Sequence, residues 1–289
     1  MLTDIEFPQL VTASAAPADI MVCHGNAAAS VAAHEPNVQY AFGSKFSWLV
    51  NKTCYLTVSD GCLITYELKP NAREAYLRNY ILGWGLSMLA MQRGETALHC
   101  SAVCDSSRAI LLCGESGSGK STLTRTYIDT GYHLMADDMA LIEYHSNQQA
   151  WVKSAFPYQK LCRDAALRSG CSLDQLIYID EEKDKFLVPC HDIYESSSKP
   201  LGAIIQLSVG NVPNVTVQKL EGLPAFYTCV NNLFLRHLLG NQKYDPLIAE
   251  KCLKIAACTK VYAIIRPRDQ DTTVEVSDVA RAITDSLEE

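Results

Sequence analysis

Short apolar runs, FSWLV, TCYLTVS and CLITYEL, fill much of the stretch before residue 70, with Asn-Lys and Asp-Gly turn signals between them. Runs of this length and type predict an antiparallel β meander, and no strong helical periodicity is present in the first seventy residues. Past Pro70 the period changes. Tyr76, Tyr80, Trp84, Met88 and Met91 recur at three- and four-residue spacing. This predicts one amphipathic helix over 71–93, ended by Gly94, with its ring-and-methionine stripe turned into the core rather than onto a cofactor.

Further on, ALHCSAV and RAILLC read as two strands around a turn at Asp105 to Ser107, and a glycine-rich loop follows directly. A helix is predicted over 121–130, stopped by Gly131, and then YHLMA as a strand that ends at Asp137 and Asp138. ALIEYHSNQQAWVKSAF has the pattern of a hairpin and LCRDAALRSG that of a short helix. LGAIIQLSV and KVYAIIRP read as buried strands, and helices are predicted over 225–239, 246–257 and 277–287. The alternation makes an α/β protein. A β-rich region over 1–70 is followed by an α/β domain over 71–289, unless the two form one continuous domain.

Composition narrows the classes. The 289 residues are 48% hydrophobic and 20% charged, enough for a sizeable core. A formal charge of -7 and a pI near 5.5 argue against a sequence-independent grip on nucleic acid, which needs Lys and Arg to displace counterions. Twelve cysteines are scattered among apolar segments without a CxxC pair, so reduced, mostly buried thiols are expected rather than a disulfide framework or a zinc site. The start, MLTDIEFPQL, has acids where a signal peptide needs positive charge, and the longest apolar run, 81–91, is too short to span a bilayer. The expectation is a cytoplasmic protein that does not engage the membrane.

The candidate chemistry begins in CGESGSGKST, where Gly114, Gly119, Lys120 and Ser121 stand in the order G-x-x-x-x-G-K-S. An apolar strand enters this loop and a helix leaves it, the context in which backbone N–H groups converge on phosphate oxygens and the helix N-terminus adds its positive end. Gly114, Glu115, Ser116, Gly117, Ser118, Gly119, Lys120, Ser121 and Thr122 are therefore the candidate nucleotide site. Lys120 is expected to neutralise the β- and γ-phosphates of ATP, and Ser121 to join the Mg²⁺ shell. A βαβ crossover would return the next strand near the first, with its carboxyl end facing the loop. Asp137 and Asp138 would then flank the metal and phosphate, one holding Mg²⁺ and one accepting a proton. Neighbours on an extended strand point to opposite faces, so a bend is required for both to reach the site. His99 opens the strand before the loop and is a further candidate.

LHCSAV, GESGSGKST and GYHLMADD, in this order and spacing, resemble the catalytic domain of HPr kinase/phosphorylase. The chain is similar in particular to the HPr-kinase-like serine kinases found with peptide-modifying enzymes, including those acting on lasso-peptide precursors. The likeness covers about 46–267 and includes LGWGLSMLAMQRGETALHCSAV, SAFPYQKLCRDA, DKFLVP and KPLGAIIQLS. It implies a P-loop fold shared with phosphoenolpyruvate carboxykinases, Asp137 as general base, Asp138 as metal-shell partner, and His99 as a catalytic residue beside Lys120; the two Asp roles could be exchanged. Lys185 is implied as a contact to phosphate or substrate, and Lys153, Tyr158, Lys160 and Arg163 as the lining of an acceptor groove. The further glycine-containing signature of HPr kinases is absent, so neither HPr as acceptor nor the reverse phosphorylase reaction is implied.

The expected activity is transfer of the γ-phosphoryl group of ATP to a Ser or Thr hydroxyl of a peptide or small protein, such as a ribosomal peptide precursor tail. Two other readings remain at this point: a sugar or amino acid kinase, which a closed pocket would favour over an open cleft, and a nucleotide-dependent regulator without turnover. The sequence leaves oligomeric state open, homo-oligomers included.

Overall fold

A computed structural model describes residues 1–10, 17–34, 38–145, 148–180, 184–239 and 246–287. The amino-terminal part is a six-stranded sheet built from β1 (Leu2–Thr3), β2 (Met21–His24), β3 (Tyr40–Ala41), β4 (Phe46–Val50), β5 (Cys54–Ser59) and β6 (Leu63–Leu68), in the order β1-β2-β6-β5-β4-β3. The β4-β5-β6 meander is antiparallel as the pattern predicts. Its second turn places Asp60 at φ 52° and Gly61 at φ 63°, the left-handed pair that matches the twist of a tight hairpin. The pattern did not disclose that β1 and β2 add on in parallel, nor the short helix α1 (Ala27–Ala32), whose amino end is capped by Asn26.

The expected single helix over 71–93 is corrected. It is α2 (Glu74–Tyr80), a π turn (Ile81–Gly85) and α3 (Leu86–Gln92), ending at Gly94 with φ 68°. Gly83 and Gly85 sit in the widened turn, and the extra residue rotates the helix surface on either side of it. Tyr76 and Met88 are buried, whereas Tyr80 and Trp84 are half-buried, packed against the first-sheet core on one side and lining a cavity on the other. Leu77, Ile81, Leu82, Met88 and Leu89 share one apolar core with Val22, Leu56 and Ile64 of the first sheet.

The second sheet takes in β7 (Thr96–Leu98), β8 (Cys100–Cys104), β9 (Ala109–Gly114), β10 (His133–Ala136), β11 (Ala140–Tyr144) and β12 (Ala150–Lys153). A third sheet follows in the chain: β13 (Tyr158–Cys162), the helix that becomes α5 below, β14 (Ile177–Asp180) and β15 (Lys185–Pro189), in the order β13-β15-β14. The second sheet then gains β16 (Lys199–Gly210), β17 (Thr216–Leu220) and β18 (Lys260–Pro267). The helices after α3 are α4 (Lys120–Asp129), α5 (Arg163–Arg168), α6 (Leu223–Asn231), α7 (Pro246–Cys258) and α8 (Thr273–Asp285).

The large sheet is covered on both sides. Leu111 and Cys113 of β9 pack with Phe226, Val230 and Ile255 of α6 and α7, while the alternate residues Ile110 and Leu112 pack with Leu123, Tyr127 and Ile283 of α4 and α8. That is why RAILLC carries no polar face. Three expectations change here. ALHCSAV is broken at His99, whose N–H donates to the Asn232 carbonyl at 2.6 Å. For the same reason the helix expected over 225–239 stops at Asn231, because the chain beyond it pairs with β7, Phe234 N–H donating to Ala97 O at 2.9 Å. The last helix begins earlier, at Thr273, and ends at Asp285.

The β9–α4–β10 crossover also differs from expectation. β8, antiparallel to both β9 and β10, lies between them. The tight hairpin at Asp105, whose carboxylate accepts from Ser107 and Arg108 N–H groups, pairs β8 directly with β9 and so occupies the neighbouring place. β10 still runs parallel to β9. No helix among the described residues is long and apolar enough to cross a membrane.

Candidate active site

Strand direction fixes what meets at one rim of the large sheet. β9, β16 and β18 are parallel neighbours, β10 runs the same way, and β8 runs against them. Their like ends gather the loop after β9, Asp137 and Asp138 after β10, Gln206 and Leu207 late in β16, Arg266 near the end of β18, and His99 just before β8. This carboxyl-end crevice is where open α/β sheets place their ligands.

The loop has the backbone its sequence requires. Gly114 has φ 138°, and a Cβ there would lie 2.3 Å from the Leu207 carbonyl oxygen. Gly119, at φ 109°, leads into α4. Lys120 folds back, its Nζ bonding the Gly114 carbonyl and, at 3.2 Å, that of Glu115. Burial pushes the Lys120 ammonium below its ordinary value, against the pull of Asp137. Arg266 braces the loop from β18, across β16, Nε donating to Ser118 O at 3.1 Å and an Nη to Gly117 O at 2.9 Å. Within the loop the Ser118 N–H donates to Glu115 O at 3.1 Å, which closes the turn.

Both aspartates reach the same cavity because Asp138 has φ 75° and β10 is irregular between Leu134 and Ala136; this is the bend the alternation rule demanded. Asp137 accepts from Ser101 Oγ at 2.5 Å and from the Lys160 N–H at 2.7 Å. Asp138 pairs with Lys160 Nζ at 2.9 Å, and its carbonyl receives His99 Nδ1 at 2.9 Å. A carbonyl only accepts, so His99 carries its proton on Nδ1 and leaves Nε2 as an acceptor. The two carboxyls are driven apart. Burial raises Asp137 above the usual range, against the Ser101 and Lys160 N–H bonds. Burial acts on Asp138 too, but the ammonium of Lys160 and then His99 outweigh it and hold that carboxyl well below the usual range. Burial lowers His99. Environments that separate two acids this way suit one to proton transfer and the other to permanent charge.

Asp138 and the Ser121 hydroxyl line one cavity of about 390 Å³. Two hard oxygen donors beside a phosphate loop fit Mg²⁺, which takes few protein ligands and completes its shell with phosphate and water. Ser116, Gly117, Gly119 and Thr122 line the same cavity, as does Arg168 of α5. The Ser118 hydroxyl is buried without a hydrogen-bond partner. A second cavity, of about 940 Å³, opens on the other side of His99. The two share His99, Glu115, Asp138, Lys160 and Lys185.

The remaining sequence candidates divide. Lys160 and Lys185 stand at this junction. Tyr158 lies beneath it, its hydroxyl donating to Pro8 O at 3.1 Å. Lys153 is elsewhere, paired with Glu143 at 2.6 Å on a separate surface groove, because β12 carries it away from the rim. Arg163 pairs with Asp184 at 2.7 Å in the open. Residues the sequence did not single out are Ser101, Arg266, Arg168 and the buried Gln9, which lines a small space under both aspartates. Arg266 had a usable signal, an arginine at the carboxyl end of an apolar strand; Gln9 had none.

Cys162 is exposed and lines the loop-side cavity, which gives a direct check on occupancy. Mg-ATP is expected to slow alkylation of Cys162 by N-ethylmaleimide at least tenfold while the exposed Cys62 keeps its rate, read by mass spectrometry of the two tryptic peptides. Equal rates at Cys162 with and without nucleotide would rule out binding there.

Fold and rim thus define an α/β protein with a glycine-loop cavity faced by two carboxylates. No family model matches the chain, and no curated protein matches it. Among solved structures it is similar to the Hpr(Ser) kinase/phosphatase from Coxiella burnetii, at 14% identity over 67% of this chain and 99% of that one, with a TM-score of 0.35. A superposition this loose carries none of the reasoning that follows.

Proposed function

We propose that the chain is an ATP-dependent kinase that phosphorylates a Ser or Thr hydroxyl on a peptide or small protein. The observation that supports this most is the junction: a phosphate-loop cavity and a larger cavity meet at His99, Glu115, Asp138, Lys160 and Lys185. A donor site and an acceptor site that open onto one another at a carboxylate are what in-line transfer needs. The volume of the second cavity, about 940 Å³, lies at the top of the roughly 300–1,000 Å³ of small-ligand sites and leaves room for the neighbours of a serine. The sequence resemblance to HPr-kinase-like serine kinases points the same way.

When bound, Mg²⁺ screens the charge of the triphosphate. Loop N–H groups and Lys120 hold the phosphates, Lys120 exchanging its loop carbonyls for phosphate oxygens. The acceptor oxygen forms a bond to the γ-phosphorus, the bond to the β-bridging oxygen breaks, and the acceptor proton passes to Asp137. Asp137 takes this role for its greater proton affinity; Asp138, held ionised, supplies charge at the metal and orients Lys160. The test is incubation with Mg-ATP and a set of serine peptides, sugars and amino acids, followed by mass spectrometry. Phosphoserine peptides support the reading, exclusive modification of a sugar or amino acid replaces it with a metabolite kinase, and ATP binding with no transfer to any of them favours the regulator.

A further inference from the structure

The π turn is not absorbed by anything above, and it shapes the larger cavity. Widened turns of this kind carry a cost in hydrogen-bond geometry and are found mostly where function has a use for them. Here the turn does two things. It turns one side of Tyr80 and of Trp84 towards the cavity, where both rings stand with Phe234 and His237 while still packing against the first-sheet core. It also presents Gly83 to the cavity.

Gly83 and Gly85 differ in a way that matters. A Cβ on Gly85 would meet Ile64 Cδ1 at 3.2 Å, so packing against the first sheet explains that glycine. A Cβ on Gly83 would meet nothing within 4 Å, although the residue is buried. Glycine weakens a helix interior relative to alanine, and no neighbour forbids a side chain here. What the missing side chain preserves is open space, continuous with the space beside Asp138, which Gly83 shares in both the large cavity and the small one under the aspartates.

Rings form the walls of that space. Trp84 and His237 pack edge to face with centroids 5.2 Å apart, and Tyr40 supports both from behind at 5.7 and 5.3 Å. Burial lowers the His237 imidazole, which favours its neutral form. A ring-walled recess kept clear by a glycine, next to Asp138, where the two cavities meet, suits one kind of occupant: a flat apolar group inserted edge to face.

We propose that Gly83, Trp84 and His237 form a specificity pocket for an aromatic side chain immediately next to the phosphorylated residue of a peptide acceptor. The proposal rests on the kinase reading for the identity of that residue, but its test is binding. Acetyl-Phe-Ser-Gly-amide and acetyl-Gly-Ser-Phe-amide are titrated against the full chain in Mg-ADP by calorimetry, with acetyl-Gly-Ser-Gly-amide and acetyl-Asp-Ser-Gly-amide as controls. At least one aromatic peptide is expected to bind tenfold or more tighter than the controls. Gly83→Leu should remove that margin while ADP affinity and melting temperature stay at wild-type values; Trp84→Ala gives the same readout should Gly83→Leu fold poorly.

Equal affinity for all four peptides, or a margin that survives both substitutions, overturns the pocket. N-acetyltryptophanamide binding as tightly as the best peptide also overturns it, in favour of a small aromatic ligand. The kinase reading fails separately. Aromatic preference without any phosphoryl transfer from ATP sinks that reading and leaves the pocket standing, whereas transfer to peptides with no such preference does the reverse.

Discussion

Asp137→Asn is expected to lower kcat by roughly 10²–10⁴-fold, the usual worth of a general base, with ATP affinity unchanged. The substitution is close to isosteric. An Asn carbonyl can still accept from the Lys160 N–H, and the Ser101 hydroxyl can turn to accept from the amide. Its stability effect has a definite sign. Burial raises the Asp137 carboxyl in the folded protein, so folding favours the protonated form, and that contribution is lost as pH rises through the folded value. At neutral pH the variant removes a desolvated carboxylate that forms no ion pair among the described residues and meets Lys120 and Lys185 only at longer range, and it should melt at or above the wild-type temperature. The pH profile follows from the same shift: wild-type kcat should climb along an acid limb displaced above the ordinary aspartate value of about 3.9, as Asp137 loses its proton. Wild-type turnover in Asp137→Asn, or a limb at or below that ordinary value, would reassign the base, with Asp138 next in line.

Gly114→Ala should be the most damaging single substitution on the rim. Its Cβ would press on the Leu207 carbonyl at 2.3 Å and on Ser118 Oγ at 2.7 Å, from a backbone at φ 138° that side chains rarely adopt. The Ser118 hydroxyl can turn aside, but the Leu207 carbonyl cannot yield cheaply, because Leu207 is paired to Gly114 in the parallel β9–β16 ladder. Backbone strain and overpacking together place the destabilisation on the order of 2–5 kcal/mol, measured by urea denaturation. Nucleotide binding should fall below detection even in the fraction that folds. By contrast, Gly117→Ala meets no atom within 4 Å and pays only for its positive φ, so it should lose far less stability. If the two alanines destabilise equally, the close approach of β16 is not what fixes this residue.

What could be read from the amino-acid order was what is local. The loop, α4 and the aspartate pair lie within one stretch of about twenty-five residues, and a strand-loop-helix-strand signal carries its own geometry. The bend that lets both acids reach the cavity was required by the alternation rule, although its place at Asp138 was not. Contacts that depend on tertiary arrangement were out of reach. Arg266 lies 148 positions from the Ser118 carbonyl it braces, and Gln9 arrives from the amino end. The π turn was missed because Tyr76, Tyr80, Trp84 and Met88 satisfy an ordinary helical period on paper; only packing of Gly85 on Ile64 and the void at Gly83 show where the phase slips. β13 to β15 escaped because each is short and its polar residues, Lys160 and Lys185 among them, belong to the junction rather than to a solvent face. α2 and α3, past residue 70, pack into the first sheet's core, a contact invisible to composition.

The hairpin joining β8 to β9 turns at the opposite end of the sheet from His99 and Gly114, with Ser106 and Ser107 exposed at its tip. A full strand length of hydrogen-bonded ladder separates that tip from the glycine loop. Ser106 is therefore a natural place to graft a fluorophore, an affinity tag or a surface tether, letting the protein be immobilised or watched by energy transfer with the glycine-loop rim pointing outward.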